Sequence, residues 1–317
     1  MRSIYKKILI ISLLIIFLLI TFSSWAKIPL NVYSPGIVSS LPFFWIKEKG
    51  FMNEKMDLKI EISTDHQRAL SLITQDEIQM IITGVNVGAL AFNKGIGINL
   101  LNVNVWGVDY LLTYGFKVEH WENFKAKTLC LPLKGGPLDF VVRFLVQKAG
   151  VDINKINLVY MPPSQGVKYF QAGKLDAIVL PEPLVTIALK KTPSAFVSLD
   201  IQKEWAKSHQ GDPKIPFVGL FSSSSFLQEH PVLVEEFKYF YLQGVKWVNQ
   251  NTKEAAELAQ KHLKIPSSIF EEALEGIDFE CISSDQSQER VQEYFNEMLE
   301  IYPELIDGRL PDEKFYR

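Results

Sequence analysis

Two cysteines and five histidines in 317 residues leave little with which to hold a metal. Cys130 and Cys281 form no zinc pattern, and His66, His120, His209, His230 and His262 are scattered without metal-ligand spacing. Three other signatures are missing: a Gly-x-Ser-x-Gly elbow, a Gly-rich phosphate loop ending in Lys-Ser/Thr, and a dinucleotide fingerprint. No catalytic constellation, cofactor or metal site is therefore expected. Positive charge is not in excess either, since 33 Lys and Arg stand against 36 Asp and Glu, so nucleic acid is not an expected partner. No low-complexity tether divides the chain, which implies that its parts are joined by ordered crossings.

A membrane-spanning length is also absent. The longest apolar run, Ile8 to Phe22, falls short of the ~20 residues that cross a bilayer. It follows Arg2, Lys6 and Lys7, and Ser24-Trp25-Ala26 puts small residues at the two positions a signal peptidase reads. Residues 1–26 read as a cleaved signal peptide, with a retained anchor as the alternative. No cysteine lies nearby to take a lipid, and the expected location is the periplasm. The remaining 291 residues carry 30 basic against 36 acidic groups, formally −6. That length suffices for two domains. A disulfide between Cys130 and Cys281 would tie one domain to the other, so both are expected as free thiols.

What the chain does contain is a repeated pattern. Ile28 to Tyr33, the Ser/Pro/Gly loop 34–40 and the helical run Leu41 to Lys49 ending at Gly50 are echoed by Lys127 to Leu131, the loop 132–137 and Leu138 to Ala149 ending at Gly150. A second echo, at a similar offset, links Ile78 to Asn86 with Leu175 to Pro183. Any doubly wound α/β protein yields some echoes of this kind, yet a shared offset for two segments favours two similar lobes. Strand-like segments at Leu58–Ile62, Ile78–Thr83, Ile98–Val105, Leu111–Phe116, Thr128–Pro132, Asn157–Met161 and Ala177–Leu180 alternate with helical ones. Such alternation predicts βαβ units and mostly parallel sheets. From Pro231 onward the pattern is helical, with stripes such as Val291, Tyr294/Phe295 and Met298. Leu111–Phe116 and Phe217–Ser222 are the expected strand-like crossings between lobes.

Several runs resemble one family. Gly150-Val151-Asp152, Val159 to Pro163, Tyr169 to Ala177 and Pro181-Glu182-Pro183 are similar to the nitrate/sulfonate/taurine group of periplasmic ABC-transporter substrate-binding proteins, which includes thiamine-precursor binders. Trp121 to Lys127 resembles that group's D-L-K-G-K entry to the second lobe, and Leu41 to Phe51 its first helix. A departure falls at Gln75 to Gln79, where the group commonly has G-x-x-D. The resemblance implies a type II periplasmic-binding-protein clamshell of two α/β lobes joined by two hinge crossings. Residues 27–113 and 220–317 would form the first lobe, the latter part helical, and 114–219 the second. It further implies a monomer that hands a small-molecule ligand to an ABC permease and its ATPase. The open alternatives are a ligand sensor for a membrane receptor and a biosynthetic enzyme on the same fold.

In such a fold the loops leaving the strand ends meet at the cleft, with free backbone N–H groups at the helix starts. Ser34, Gly36, Ser39 and Ser40 would occupy the first loop, and Thr83, Gly84 and Asn86 the second. Across the cleft stand Gly135, Gly136 and Asp139, with Glu182 on the last loop. Each has a plainer role open to it, since serines cap helices, glycines permit turns and an acid complements a helix dipole. For an anionic ligand the candidate partners are Arg68 and Lys134. For a cationic or amino-bearing ring they are Asp109, Asp139 and Glu182 with Tyr33, Trp106 and Tyr160. Acids outnumber bases among these loop residues, which points to a small organic molecule (sulfonate/taurine-like or thiamine-pyrimidine-like) and away from a bare inorganic anion.

Overall fold

The computed structural model describes residues 27–63, 65–124 and 127–317; the expected signal peptide lies outside the described residues. Eleven strands there form two sheets. The first contains β1 (Ile28–Ser34), β2 (Met56–Ile62), β3 (Met80–Gly84), β4 (Ile98–Gly107), β10 (Val218–Ser223) and β11 (Asp278–Ser283). The second contains β5 (Asp109–Tyr114), β6 (Thr128–Leu131), β7 (Asn157–Tyr160), β8 (Ala177–Pro181) and β9 (Ala195–Asp200).

Side by side, the two sheets have one plan. The order β2-β1-β3-β10-β4 in the first matches β7-β6-β8-β5-β9 in the second, with β11 added at the first sheet's edge. In both, the first three strands and the fifth run one way, and the fourth (β10, β5) runs antiparallel between its neighbours. The two echoes in the sequence are thus equivalent elements: β1 and β6 are the central parallel strands, and β3 and β8 their neighbours. Strand direction is mostly parallel, as expected, with β10 and β11 reversed in the first sheet and β5 in the second. The antiparallel strands enter because the chain leaves one sheet and returns to it, and a strand arriving from the other lobe runs opposite to the βαβ units.

That exchange is abrupt. β4 ends at Gly107 and β5 begins at Asp109, so only Val108 stands between strands of different sheets. The change comes before Leu111–Phe116, and Phe217–Ser222 lies almost wholly in β10 of the first sheet. The way back is the segment 209–217, after α7 (Ile201–Ser208). It runs beside the outward crossing, with the Ile215 amide donating to Trp106 O at 2.8 Å and the Phe217 amide to Val105 O at 3.1 Å.

The helices that start at the strand ends are punctuated as propensity dictates. After β1, α1 (Leu41–Lys49) has Pro42 in its first turn and stops at Gly50, whose φ of 73° suits only a residue without Cβ. After β6, α4 (Pro137–Lys148) starts on Gly136 with Pro137 in its first turn. After β3, α3 (Val85–Asn93) follows Gly84, and after β8, α6 (Leu184–Lys191) follows Pro183.

β4 is buried at all ten positions, three of them the asparagines Asn99, Asn102 and Asn104. Two strands were not legible as such: β9 is half-exposed at the edge of its sheet, and β11 begins Asp-Phe-Glu. Edge strands carry exposed and charged residues, which dilutes the apolar signal. The C-terminal flank is helical as expected. α9 (Pro231–Gln250) packs on α1, with the Phe43 ring 5.9 Å from Phe237 and 5.1 Å from Tyr241. α12 (Ser284–Ile301) reaches further, because its buried Tyr294 lies 5.4 Å from Phe140 on α4 and 6.0 Å from Trp205 on α7. The flank therefore braces the second sheet's helices as well as the first sheet.

Helix α3 is pressed onto β10 at Gly88. A Cβ there would lie 2.2 Å from Cζ of the buried Phe221. Alanine at this position gains about 1 kcal/mol of helix propensity, but overpacking against a ring fixed in a central strand costs about 1–3 kcal/mol. Gly88→Ala should therefore lower the denaturant midpoint by an amount equivalent to up to about 2 kcal/mol in equilibrium unfolding. An unchanged or raised midpoint would show that the ring can give way.

Candidate functional site

The carboxyl ends of β1, β6 and β8 and the two crossings converge on a cleft of about 170 Å³. Ile37, Val38, Val105, Phe217 and Val218 line it from the first sheet, and Pro132, Pro137, Leu138 and Pro181 from the second. Val108 lies at the junction. Within this apolar wall stand two carboxylic acids, Asp109 and Glu182.

Asp109 is the first residue of β5 and only 3% exposed. Its backbone N–H donates to Gln202 Oε1 at 3.1 Å, while among the described residues nothing donates to its carboxyl group. Burial with no compensating bond disfavours the charged form, and pushes this carboxyl up from 3.8 to about 8. Tyr294, on α12, has a buried hydroxyl that also lacks a partner, and its ionisation is pushed well up by burial and by the charge of Asp109. Glu182 is held differently. Its carboxylate accepts from the Thr186 amide and hydroxyl, both at 3.1 Å, and burial still outweighs those bonds, raising its ionisation, with a further push from Glu272. The Glu182 amide donates to Val108 O at 2.9 Å, and Asp109 is registered opposite Pro181. The two acids thus leave neighbouring strand ends one residue out of step, so that their side chains point to opposite faces of the second sheet.

The walls of the cleft touch directly. A Cβ on Gly84 would lie 2.6 Å from Cγ of Pro137 across the gap, and Asn86 Nδ2 donates to Gly135 O at 3.2 Å, leaving its Oδ1 buried and unpaired. On the far side, the Tyr110 hydroxyl donates to Gly276 O at 3.0 Å, and Lys190 pairs with Glu272 at 2.6 Å. This is a closed arrangement.

Of the eleven residues expected at the site, Glu182 alone lines the cleft. Ser34 and Ser40 are fully buried and bond to each other at 2.8 Å, with Ser40 also donating to Pro35 O at 2.5 Å. Ser39 donates to Asn104 Oδ1 at 2.7 Å, and its carbonyl accepts from the Tyr241 hydroxyl at 2.9 Å. These three serines fasten the β1 loop to the first sheet and to α9. Gly36 sits instead beside Ile62 and Leu263, and Thr83 is buried at the end of β3. Gly84, Asn86 and Gly135 make the contacts between the walls, and Gly136 starts α4. Asp139 faces inward within its own lobe: it accepts from the Gly135 amide, Arg143 Nε and the Tyr160 hydroxyl, each at 2.8 Å.

The other candidates also lie outside the lining of the cleft. Arg68 pairs with Glu61 at 2.6 Å, and Lys134 is exposed on the β6–α4 loop. Tyr33 donates to Asp65 O at 3.1 Å, and Trp106 Nε1 to Glu280 O at 2.8 Å. What the loop-based reading underweighted is the apolar lining and Asp109. The signal for Asp109 was present: a lone carboxylate inside the run Val103 to Leu112. Both cysteines are free, and among the described residues no cluster is placed to hold a metal.

A larger cavity, of about 630 Å³, opens between α7, the return segment and α12. It receives no strand end, and its cations are already paired, Arg290 with Asp212 and Lys214 with Asp278 and Glu280. The smaller cleft is the better candidate, because both sheets and both crossings contribute to it.

Two sheets of one plan, exchanging strands and closing over a pocket, define the periplasmic-binding-protein fold. Solved structures agree. An ABC transporter from Parabacteroides distasonis superposes with a TM-score of 0.74 at 19% identity, covering 92% of this chain and 98% of that one. The periplasmic aliphatic sulphonate binding protein SsuA from Escherichia coli gives 0.71 at 12%, covering 92% and 100%. The periplasmic nitrate-binding protein NrtA from Synechocystis PCC 6803 gives 0.67 at 13%, covering 86% and 81%. Residues 94–263 match the NMT1-like family, and the chain belongs to it. A comparison with curated proteins finds no match.

The state of Asp109 makes stability depend on pH. Between about pH 4 and about pH 8 the folded chain keeps a proton that the unfolded chain has released, so stability falls as pH rises through that window. Asp109→Asn removes this dependence. Relative to the variant, the native protein should lose up to about 1.4 kcal/mol of unfolding free energy per pH unit between about pH 5 and about pH 7, read by urea unfolding. Parallel curves for the two proteins would show that the folded state does not burden this carboxylate.

Proposed function

We propose that the chain is the extracytoplasmic substrate-binding protein of an ABC importer, capturing a small organic molecule between its lobes by hinged closure and passing it on unaltered. The observation that carries this reading is the cleft, where strand ends from two sheets of identical plan meet around an apolar pocket with two acids. Its size is below the roughly 300–1,000 Å³ of pockets for drug-sized ligands, which suits a compact metabolite.

In the proposed division, the first lobe comprises residues 27–107 with 218–317, and the second 109–208. Val108 and the return segment 209–217 act as the hinge. Hinges need only a few residues that absorb a change of backbone angle, and two adjoining crossings restrict the motion to rotation about their common line. A ligand resting on one lobe completes its contacts only when the other swings in, and its differential affinity then favours the closed form. A permease and its ATPase would read that closed shape, and the binding protein would act as a monomer in the periplasm after loss of residues 1–26. No helix among the described residues is long and apolar enough to cross a membrane, in keeping with a chain that works beside one.

Native mass spectrometry of mildly purified protein tests the reading. One small molecule should be retained per chain and released with its mass unchanged by the protein. Conversion of the released molecule when it is returned to fresh protein would place the chain among enzymes instead.

A further inference from the structure

We propose that the cleft takes an uncharged, mostly hydrocarbon molecule about the size of a single ring, recognised by shape and by exclusion of water and not by ion pairing. This rests on the reading of the cleft as the ligand site, and narrows it to a class of ligand.

Ten of the twelve residues that line the cleft carry hydrocarbon side chains. The other two are Asp109 and Glu182, and the β5–β8 register sends them to opposite faces of the second sheet. Asp109 is turned towards Tyr294, and Glu182 towards Thr186, from whose amide and hydroxyl it accepts. Gly276 covers the Glu182 side, since a Cβ there would lie 3.3 Å from Glu182 Cγ. The Asp109 carboxyl, pushed up to about 8 by burial, also keeps its proton at neutral pH. A cationic ligand therefore finds no carboxylate aimed at it.

An anion fares no better. Among the described residues no lysine, arginine or histidine lines the cleft, and Arg143 and Lys190 are paired with Asp139 and Glu272. Backbone donors are scarce as well. Pro132 follows β6, Pro137 starts α4 and Pro181 ends β8, positions where strand ends and a helix start would otherwise turn N–H groups to an anion, and proline has none. Nor does a hydroxyl or amide side chain of the described residues line the cleft to hold a sugar or an amino acid.

What remains is a hydrocarbon wall of fixed shape. Proline rings are rigid, and valine and isoleucine are restricted at χ1, so the lining cannot turn to present other groups. The volume it leaves, about 170 Å³, is close to the roughly 150 Å³ of an engineered apolar cavity that binds benzene. Closing the lobes over such a molecule removes apolar surface of both from water, which favours the closed form without any ion pair.

Calorimetry on protein stripped of ligand by unfolding and refolding tests this with one ring in different charge states: toluene and phenol, neutral, against benzylamine as cation and benzenesulfonate as anion. The neutral pair should bind with a negative heat-capacity change and an affinity indifferent to salt, and the charged pair at least about a hundredfold more weakly. Val218→Thr, which sets a hydroxyl in the wall, should weaken toluene binding at least about fivefold, and Ile37→Trp, which fills the cleft, should abolish it. Benzylamine or benzenesulfonate bound as tightly as toluene would overturn the uncharged assignment and leave the importer reading standing. Toluene binding untouched by both substitutions would place it outside the cleft and overturn the proposal, and failure of every ring to bind would count against the cleft as a ligand site.

Discussion

One residue, Val108, separates a strand of one sheet from a strand of the other, and the rest of the architecture is organised around that short passage. Because β4 and β5 are joined almost without slack, the two sheets cannot drift apart or pack in arbitrary orientations. The return segment 209–217 is hydrogen-bonded beside the same point, through Ile215 and Phe217. In the proposed reading, both connections lie side by side and leave opening and closing as the relative motion. That placement also fixes what faces the gap: the residues on either side of Val108, and the strand ends registered against them.

The chemistry of the cleft is a consequence of this placement. Asp109 begins β5 where the chain has just left the first sheet, and Glu182 directly follows β8, its amide donating to Val108 O. Both residues therefore lie where the two sheets meet, Asp109 towards Tyr294 and Glu182 towards Thr186. Apolar walls make ionisation costly there. The serines of the β1 loop, in contrast, spend their hydrogen bonds on holding that loop against Asn104 and Tyr241, and Asp139 spends its own on Gly135, Arg143 and Tyr160. They shape the loops that form the cleft and leave its lining mostly apolar.

Much of the fold was legible because it repeats. The paired runs at 28–50 and 127–150, and at 78–86 and 175–183, mark the same elements of the two sheets, and Pro42, Gly50 and Pro137 punctuate their helices where propensity says they should. The exposed strands β9 and β11 escaped notice because edge position dilutes an apolar pattern. The reversal of β5 and β10 within otherwise parallel sheets was hidden, since strand direction depends on which sheet a segment joins, a long-range property that local pattern does not carry. The site was less legible than the fold. Serine and glycine at strand ends serve loop geometry as readily as ligands. The more telling mark was a carboxylate, Asp109, inside an otherwise apolar stretch, with no cation in sequence range to answer it.

The distance between the lobes is the most direct test of this account. Spin labels at Lys134 and Lys59, on the second and first lobes, would report it by pulsed electron resonance in a chain whose two native cysteines are replaced by alanine. Protein carrying its co-purified ligand should show a short, narrow distance that becomes longer and broader after stripping, and shortens again when the released fraction is restored. Gly84→Val, which sets side-chain carbon against Pro137, should stay at the longer distance throughout. A single distance in every condition, the valine variant included, would contradict hinged closure over the cleft.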